Sequence, residues 1–226
     1  MNPMNPNSGK EVAKRPHSTD MDSTLPPGAD AEERFNEFWK QNGSSIFVAI
    51  VLGAIVVIGV QTWRYVKERR EAGIQAAYSV ADTSEKLLTF AKDHPSHRLA
   101  GAAYLQLAND EYASGKYKEA KEYYSLAHEK LAGTPFSERA GLGAAMSTLL
   151  SGDTQNGLTE LRAILDNPEL LEITRAEAGF NLAVYYLQKE DYKTLSGIID
   201  IADTFGEKNI YADFTRRMRN RIPEQK

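Results

Sequence analysis

The chain has 226 residues, of which 42% are hydrophobic and 26% charged, with a net charge of −4. That length suits one folded domain with appendages, and the charge balance excludes the basic excess that nucleic-acid binders show, so no nucleic acid is implied. Zero cysteines exclude disulfides, Cys-ligated zinc, iron–sulfur clusters, thiol catalysis and a lipid-modified N-terminal Cys, and assign no compartment.

Residues 1–30 hold five of the nine prolines and few large apolar side chains, too little apolar surface to offset chain entropy, so they are expected to be a disordered tail. Residues 31–43, "AEERFNEFWKQNG", have the pattern of a short amphipathic helix, with Asp30 as cap, Glu33 in its first turn and Gly43 as stop. Phe35, Phe38 and Trp39 share one of its faces, which suits a headgroup region or a plain helical lead-in. Residues 44–63, "SSIFVAIVLGAIVVIGVQTW", carry no charge. At about 1.5 Å per residue such a helix covers about 30 Å, the hydrocarbon thickness of a bilayer. A cleavable signal starts near the N-terminus with a basic region and finishes in a small-residue site; this stretch follows 43 mostly polar residues and runs into "RYVKERR". A core helix of a soluble domain keeps a polar stripe, and Ile46 to Val60 has none. The expectation is an uncleaved transmembrane helix, flanked by Trp39, Trp63 and Tyr65 as an aromatic belt.

From residue 71 onward apolar residues recur at spacings of three and four with no alternating strand pattern, so the fold class is all-α. Residues 71–92 read as a continuation of the membrane helix that ends at His94-Pro95. The rest repeats. "YLQLANDEYASGKYKEAKEYYSLA" places Tyr104, Leu107, Ala108, Gly115, Tyr117, Ala120, Tyr124 and Ala127 at the spacing of the tetratricopeptide (TPR) consensus, where small residues let two antiparallel helices approach and large ones fill the gaps. A second copy carries Gly141, Ala144, Ala145, Gly152, Gly157, Leu161 and Ile164, and departs from the pattern at Thr148 and Thr154. A third carries Gly179, Leu182, Ala183, Tyr186, Tyr192, Leu195, Ile199 and Ala202, with Glu190 where the turn glycine is usual. The expected architecture is one N-terminal transmembrane helix, then a TPR-like solenoid over 71–226 with repeats at about 98–134, 135–172 and 173–209 and a capping helix over 210–222.

The "RFNEFWKQNG" lead-in, the single span, the basic "WRYVKERR" exit and the repeats together resemble the YfgM-type ancillary subunit family of the bacterial SecYEG translocon, over about residues 31–205. The resemblance implies a single-pass protein of the bacterial inner membrane whose repeats face the periplasm and meet periplasmic chaperones or emerging chains. The charge pattern opposes that topology: Arg34 and Lys40 precede the span, and Arg64, Lys67, Arg69 and Arg70 follow it. The excess of basic residues on the C-terminal side favours repeats in the cytoplasm.

No residue constellation points to an enzyme, a metal or a cofactor. His94 and His97 in "HPSH" lack an acidic or thiol ligand at metal spacing, and Pro95-Ser96 reads as a helix start. "AGLGAAMSTLLSG" lacks the Lys-Ser/Thr end of a phosphate loop. The run "RRMRNR", Arg216 to Arg221, suits either an anionic partner or the solvated C-terminal end of a helix. Function is therefore expected in protein interaction, through the inner, concave face of the repeats. Register places Leu105, Asn109 and Tyr112 there from the first unit. The second contributes Arg139, Leu142, Met146 and Leu149, and the third Phe180, Val184 and Leu187. That surface would accept an amphipathic helix or an unfolded segment, or be filled by the chain's own flanking helices; self-assembly into a homo-oligomer is the alternative to a foreign partner.

Overall fold

The computed structural model describes residues 29–223, and among them every regular element is helical. The expected disordered tail lies, up to residue 28, outside the described residues. The chain divides into a unit that runs to Tyr65 and a second unit from Val66 onward.

Helix α1 spans Ala29–Ser79 without interruption. The stop expected at Gly43 does not occur. A helical glycine costs only about 1 kcal/mol relative to alanine, the helix-forming run after it continues the ladder, and the Trp39 indole lies over the Gly43 backbone. Within the first unit the side chains from Phe47 to Val60 are all exposed, Phe47 at 66% and Ile58 at 64%. By length and composition the helix is long and apolar enough to cross a membrane.

In the second unit α1 stops at Ser79 and α2 covers Ser84–Asp93, so residues 71–92 form a helix–turn–helix where one continuous helix was expected. The turn has local causes. Ser79 donates its hydroxyl to the Ala76 carbonyl, and extended Thr83 accepts the Lys86 amide at its Oγ1 to cap α2. Tyr78 then lies against Phe90, with ring centres 5.3 Å apart, in a cluster that includes Ile74, Leu87 and Ala91.

Three helical pairs follow: α3 (Arg98–Ala113) with α4 (Tyr117–Lys130), α5 (Pro135–Leu150) with α6 (Thr154–Asp166), and α7 (Glu172–Gln188) with α8 (Tyr192–Ala202). Helix α9 (Ile210–Arg217) and a 3-10 turn (Met218–Arg221) complete the described chain. From α2 onward each helix packs on its sequence neighbours, and α9 packs on both α7 and α8. Small residues set the close approaches. Ala108, Ala120 and Ala127 are fully buried around Tyr124 and Leu131, and a Cβ on Gly157 would lie 2.5 Å from the Leu149 backbone where α6 crosses α5. Leu161, Leu165, Leu182, Leu195, Ile198 and Ile199 fill the second half of the core. Between the helices of each pair the chain enters the left-handed region, at Gly115 (φ 75°), Gly152 (φ 98°) and Glu190 (φ 56°).

The junctions between pairs use a recurring carboxylate contact. Glu138 at the start of α5 accepts the Leu171 amide and the Thr174 hydroxyl of the next pair. Glu71 near the end of α1 meets His97 Nε2 at 3.1 Å. His97 Nδ1 accepts the Leu99 amide, which puts the ring proton on Nε2, facing Glu71. His97 is therefore itself the cap of α3, held in register by a residue of α1, and Pro95-Ser96 form the turn before it.

Candidate protein-binding face

The first helices of the pairs, α3, α5 and α7, together with α9, form a layer in which α5 meets α7 and α7 meets α9. Polar contacts run across this layer. Arg139 on α5 donates to Glu177 on α7 at 2.6 Å, and the Tyr211 hydroxyl of α9 lies near enough to the same carboxylate to feel its charge. On α3, Asn109 Oδ1 accepts the Tyr124 hydroxyl of α4 at 2.7 Å, and Tyr112 packs edge-on against both Tyr117 and Tyr124. Burial pushes the phenols of Tyr112, Tyr124 and Tyr211 up from their ordinary value, opposed by the nearby Arg139 guanidinium. All three are neutral hydroxyls at physiological pH.

The residues expected on the inner face divide by depth. Asn109 is exposed, the Arg139 side chain is 58% exposed, and Leu105 and Tyr112 are half-buried. Phe180, Val184 and Leu187 are half-buried and share one stripe of α7 at spacings of four and three. Met146 and Leu149 are half-buried against the core. Leu142 is a correction: at 2% exposure it belongs to the core cluster with Leu161 and Leu182. Its place follows from helix geometry, since position 142 is turned away from the Arg139–Met146 line by part of a turn and so faces the neighbouring helices.

At the α9 end of the layer lies an open cleft of about 740 Å³, lined on one side by Phe180, Val184, Leu187 and Gln188 and on the other by Phe214, Arg217, Met218 and Arg221. Sequence reasoning found the α7 wall and missed the α9 wall. The signal was present in Ile210, Phe214 and Arg217, which recur at spacings of four and three on a helix read only as a cap. The expected alternative, a groove filled by the chain's own C-terminal helix, takes an intermediate form: Tyr211 and Phe214 stack against Phe180 with ring centres about 6 Å apart, yet α9 lies beside α7 and leaves the cleft between them open.

The structure also divides the arginines of the C-terminal run. Arg216 donates to the Ala202 carbonyl at the end of α8, where its charge suits the helix dipole. Arg219 pairs with Asp200 and Asp203. Arg217 and Arg221 line the cleft. Among the described residues no group of three or more His, Asp or Glu side chains is placed to hold a metal ion.

Stacked antiparallel helical pairs with small residues at the crossings and a continuous first-helix face define a TPR-like solenoid. The chain belongs to the tetratricopeptide repeat-like domain family, whose sequence profile matches residues 36–196 and so takes in the apolar run, the first two pairs, and the third pair as far as the start of α8. No curated protein and no solved structure matches the chain. Domains of this kind mediate protein–protein interaction, and the fold is that of an interaction scaffold.

Proposed function

We propose that the chain is a membrane-anchored, non-catalytic scaffold that serves as an ancillary subunit of the Sec translocon in the bacterial inner membrane, its repeats meeting periplasmic chaperones or emerging chains. The observation that carries the anchor is the run from Phe47 to Val60. Its apolar side chains are exposed on a helix of spanning length, and in water each would forgo about 25 cal/mol for every Å² left uncovered. A bilayer covers that surface without any partner protein. The translocon reading is supported by the "RFNEFWKQNG" and "WRYVKERR" flanks and by a family match that spans both anchor and repeats.

Three measurements test this reading. Carbonate washing should leave the protein in the membrane, and release into the supernatant would defeat the anchor. The chain contains no cysteine, so a Lys118→Cys variant, at an exposed position of α4, gives a single labelling site. A membrane-impermeant thiol reagent should label it in intact spheroplasts; labelling only after lysis would place the repeats in the cytoplasm. Purification of the full chain in mild detergent should enrich translocon subunits, and recovery of the chain with itself alone would defeat the translocon assignment in favour of self-assembly.

A further inference from the structure

We propose that the cleft between α7 and α9 binds an amphipathic helix that carries acidic side chains along one edge of its apolar stripe. This deepens the scaffold reading by naming the chemistry of a partner, and it rests on that reading only for the claim that the face binds protein.

The floor of the cleft is apolar and regularly spaced. Phe180, Val184 and Leu187 on one wall and Phe214 and Met218 on the other present two stripes at helical spacing, between which a third helix can seat its own residues at i, i+4 and i+7. An extended segment is the poorer match, because both walls are helices whose backbone groups are consumed internally and offer no ladder to pair with. Phe214 remains 42% exposed, so the α9 wall keeps apolar surface that its own unit leaves uncovered.

The rim supplies the sign of the charge. Arg217 and Arg221 line the cleft, and no carboxylate does. Arg217 reaches only Asp213 one turn back on its own helix, with its own side chain 72% exposed, a contact of low worth at such exposure. Arg221 has no acidic partner among the described residues. Arg216 and Arg219 are both held by acceptors at the end of α8, whereas Arg217, with its side chain 72% exposed, and Arg221 face the cleft, which makes these two guanidinium groups the available ones. Residues 71–226 hold 18 basic and 23 acidic side chains, net −5, so the two arginines of the cleft stand against a background that is acidic on balance. Guanidinium groups also pair carboxylates through two parallel N–H bonds, which fixes orientation as well as register.

The test uses the full chain in nanodiscs of zwitterionic lipid and two fluorescein-labelled helical peptides that differ at two positions. Both carry leucines at i, i+4 and i+7; one has glutamates beside the stripe and the other lysines. Anisotropy should show the glutamate peptide bound at least about tenfold tighter than the lysine peptide, the difference expected of charge-assisted hydrogen bonds, and this gap should narrow in high salt. In the double variant Arg217→Glu, Arg221→Glu the preference should vanish or reverse. Phe214→Ser, at a position 42% exposed, should weaken both peptides alike. Equal affinity of the wild-type chain for the two peptides, a preference untouched by the double variant, or no binding of either peptide each overturns the proposal. These outcomes are independent of the carbonate wash: a protein released from membranes that still discriminates the peptides loses the anchor and keeps the cleft, and the reverse pattern removes only the cleft.

Discussion

Asn209 Nδ2 donates to Glu172 Oε1 at 3.0 Å across 37 positions of sequence, and the same carboxylate oxygen accepts the Gly206 amide at 3.1 Å. Asn209 in turn caps α9 by accepting the Ala212 amide. The first turn of α7 therefore holds the first turn of α9, as Glu138 of α5 holds the start of α7 through Thr174. The two carboxylates lie 34 positions apart, short of the 37 that separate the starts of α5 and α7 at Pro135 and Glu172, so the two contacts are alike in kind but do not occupy the same position of the repeat.

The Asn209 side chain, and after it the Gly206 amide, hold the Glu172 carboxyl below its ordinary value of 4.5. A depressed folded-state value means that the ionised form stabilises the fold above about pH 4.5 and that this contribution is lost as pH falls through the lower folded value. Glu172→Gln should lower the urea midpoint of the detergent-solubilised chain at pH 7, and the gap to wild type should close as pH drops below 4.5. A gap that stayed constant with pH would show that the loss arises from packing and not from the charge.

Glu190 occupies the turn of the third pair at φ 56°, where the first two pairs use Gly115 and Gly152. A side chain in that region costs about 1–2 kcal/mol, of which glycine returns part, less its own entropy in the unfolded chain. Glu190→Gly is expected to stabilise the chain by about 0.5–1 kcal/mol. A lowered midpoint would mean that the Glu190 side chain makes contacts that outweigh the strain.

Ala120 is fully buried where α4 crosses α3, while Ala113, at the end of α3, is exposed. Leucine has nearly the helix propensity of alanine, so the two Ala→Leu variants differ only in packing. Ala120→Leu should cost about 1–3 kcal/mol as added methylenes enter a filled interface, and Ala113→Leu should be nearly neutral. Gly157→Ala belongs with Ala120→Leu, because the new methyl meets Leu149 backbone at 2.5 Å and backbone yields less readily than a side chain. Circular dichroism melts in urea decide; equal midpoints for Ala120→Leu and Ala113→Leu would refute the small-residue account of the crossings.

The repeat could be read from sequence because its determinants are local. Ala108, Ala120 and Ala127 sit at fixed spacing, and the turn glycines mark where the first two pairs reverse. What escaped was decided between distant positions or by competition among weak signals. Gly43 has the composition of a stop, yet the apolar run after it continues the helix. Thr83 divides the expected helix of 71–92 because its cap acts together with the packing of Tyr78 on Phe90, which no linear pattern records. Leu142 has the right spacing for the inner face, but facing and burial differ by part of a helical turn, and the helix stacked alongside determines which side is core. The α9 wall of the cleft was hidden for the same reason: an eight-residue helix carries too little pattern to reveal its face until Phe180 is seen against Phe214.

Leu142 and Arg139 lie one turn apart on α5 and should separate stability from binding. Leu142→Ser removes a nearly fully buried side chain from the main core cluster and leaves a hydroxyl among leucines, so it should cost about 2–5 kcal/mol whether or not a partner occupies the face. Arg139→Gln breaks a pair whose Arg139 side chain is 58% exposed and whose Glu177 side chain is only 19% exposed; the glutamine amide can still donate to that carboxylate, so the cost should stay near the upper end of the range for surface pairs, about 1 kcal/mol, well below that of Leu142→Ser. The same substitution removes the guanidinium at the centre of the tyrosine-rich first-helix face, where arginine and tyrosine are the residue types that carry most interface energy. Recovery of co-purified partners should therefore fall with Arg139→Gln by more than its small stability cost accounts for. With Leu142→Ser, recovery should fall only as far as the folded fraction does. If Arg139→Gln left recovery intact while Arg221→Glu abolished it, the partner surface would be confined to the α7–α9 cleft; if neither substitution mattered, the first-helix face would not be where this scaffold binds.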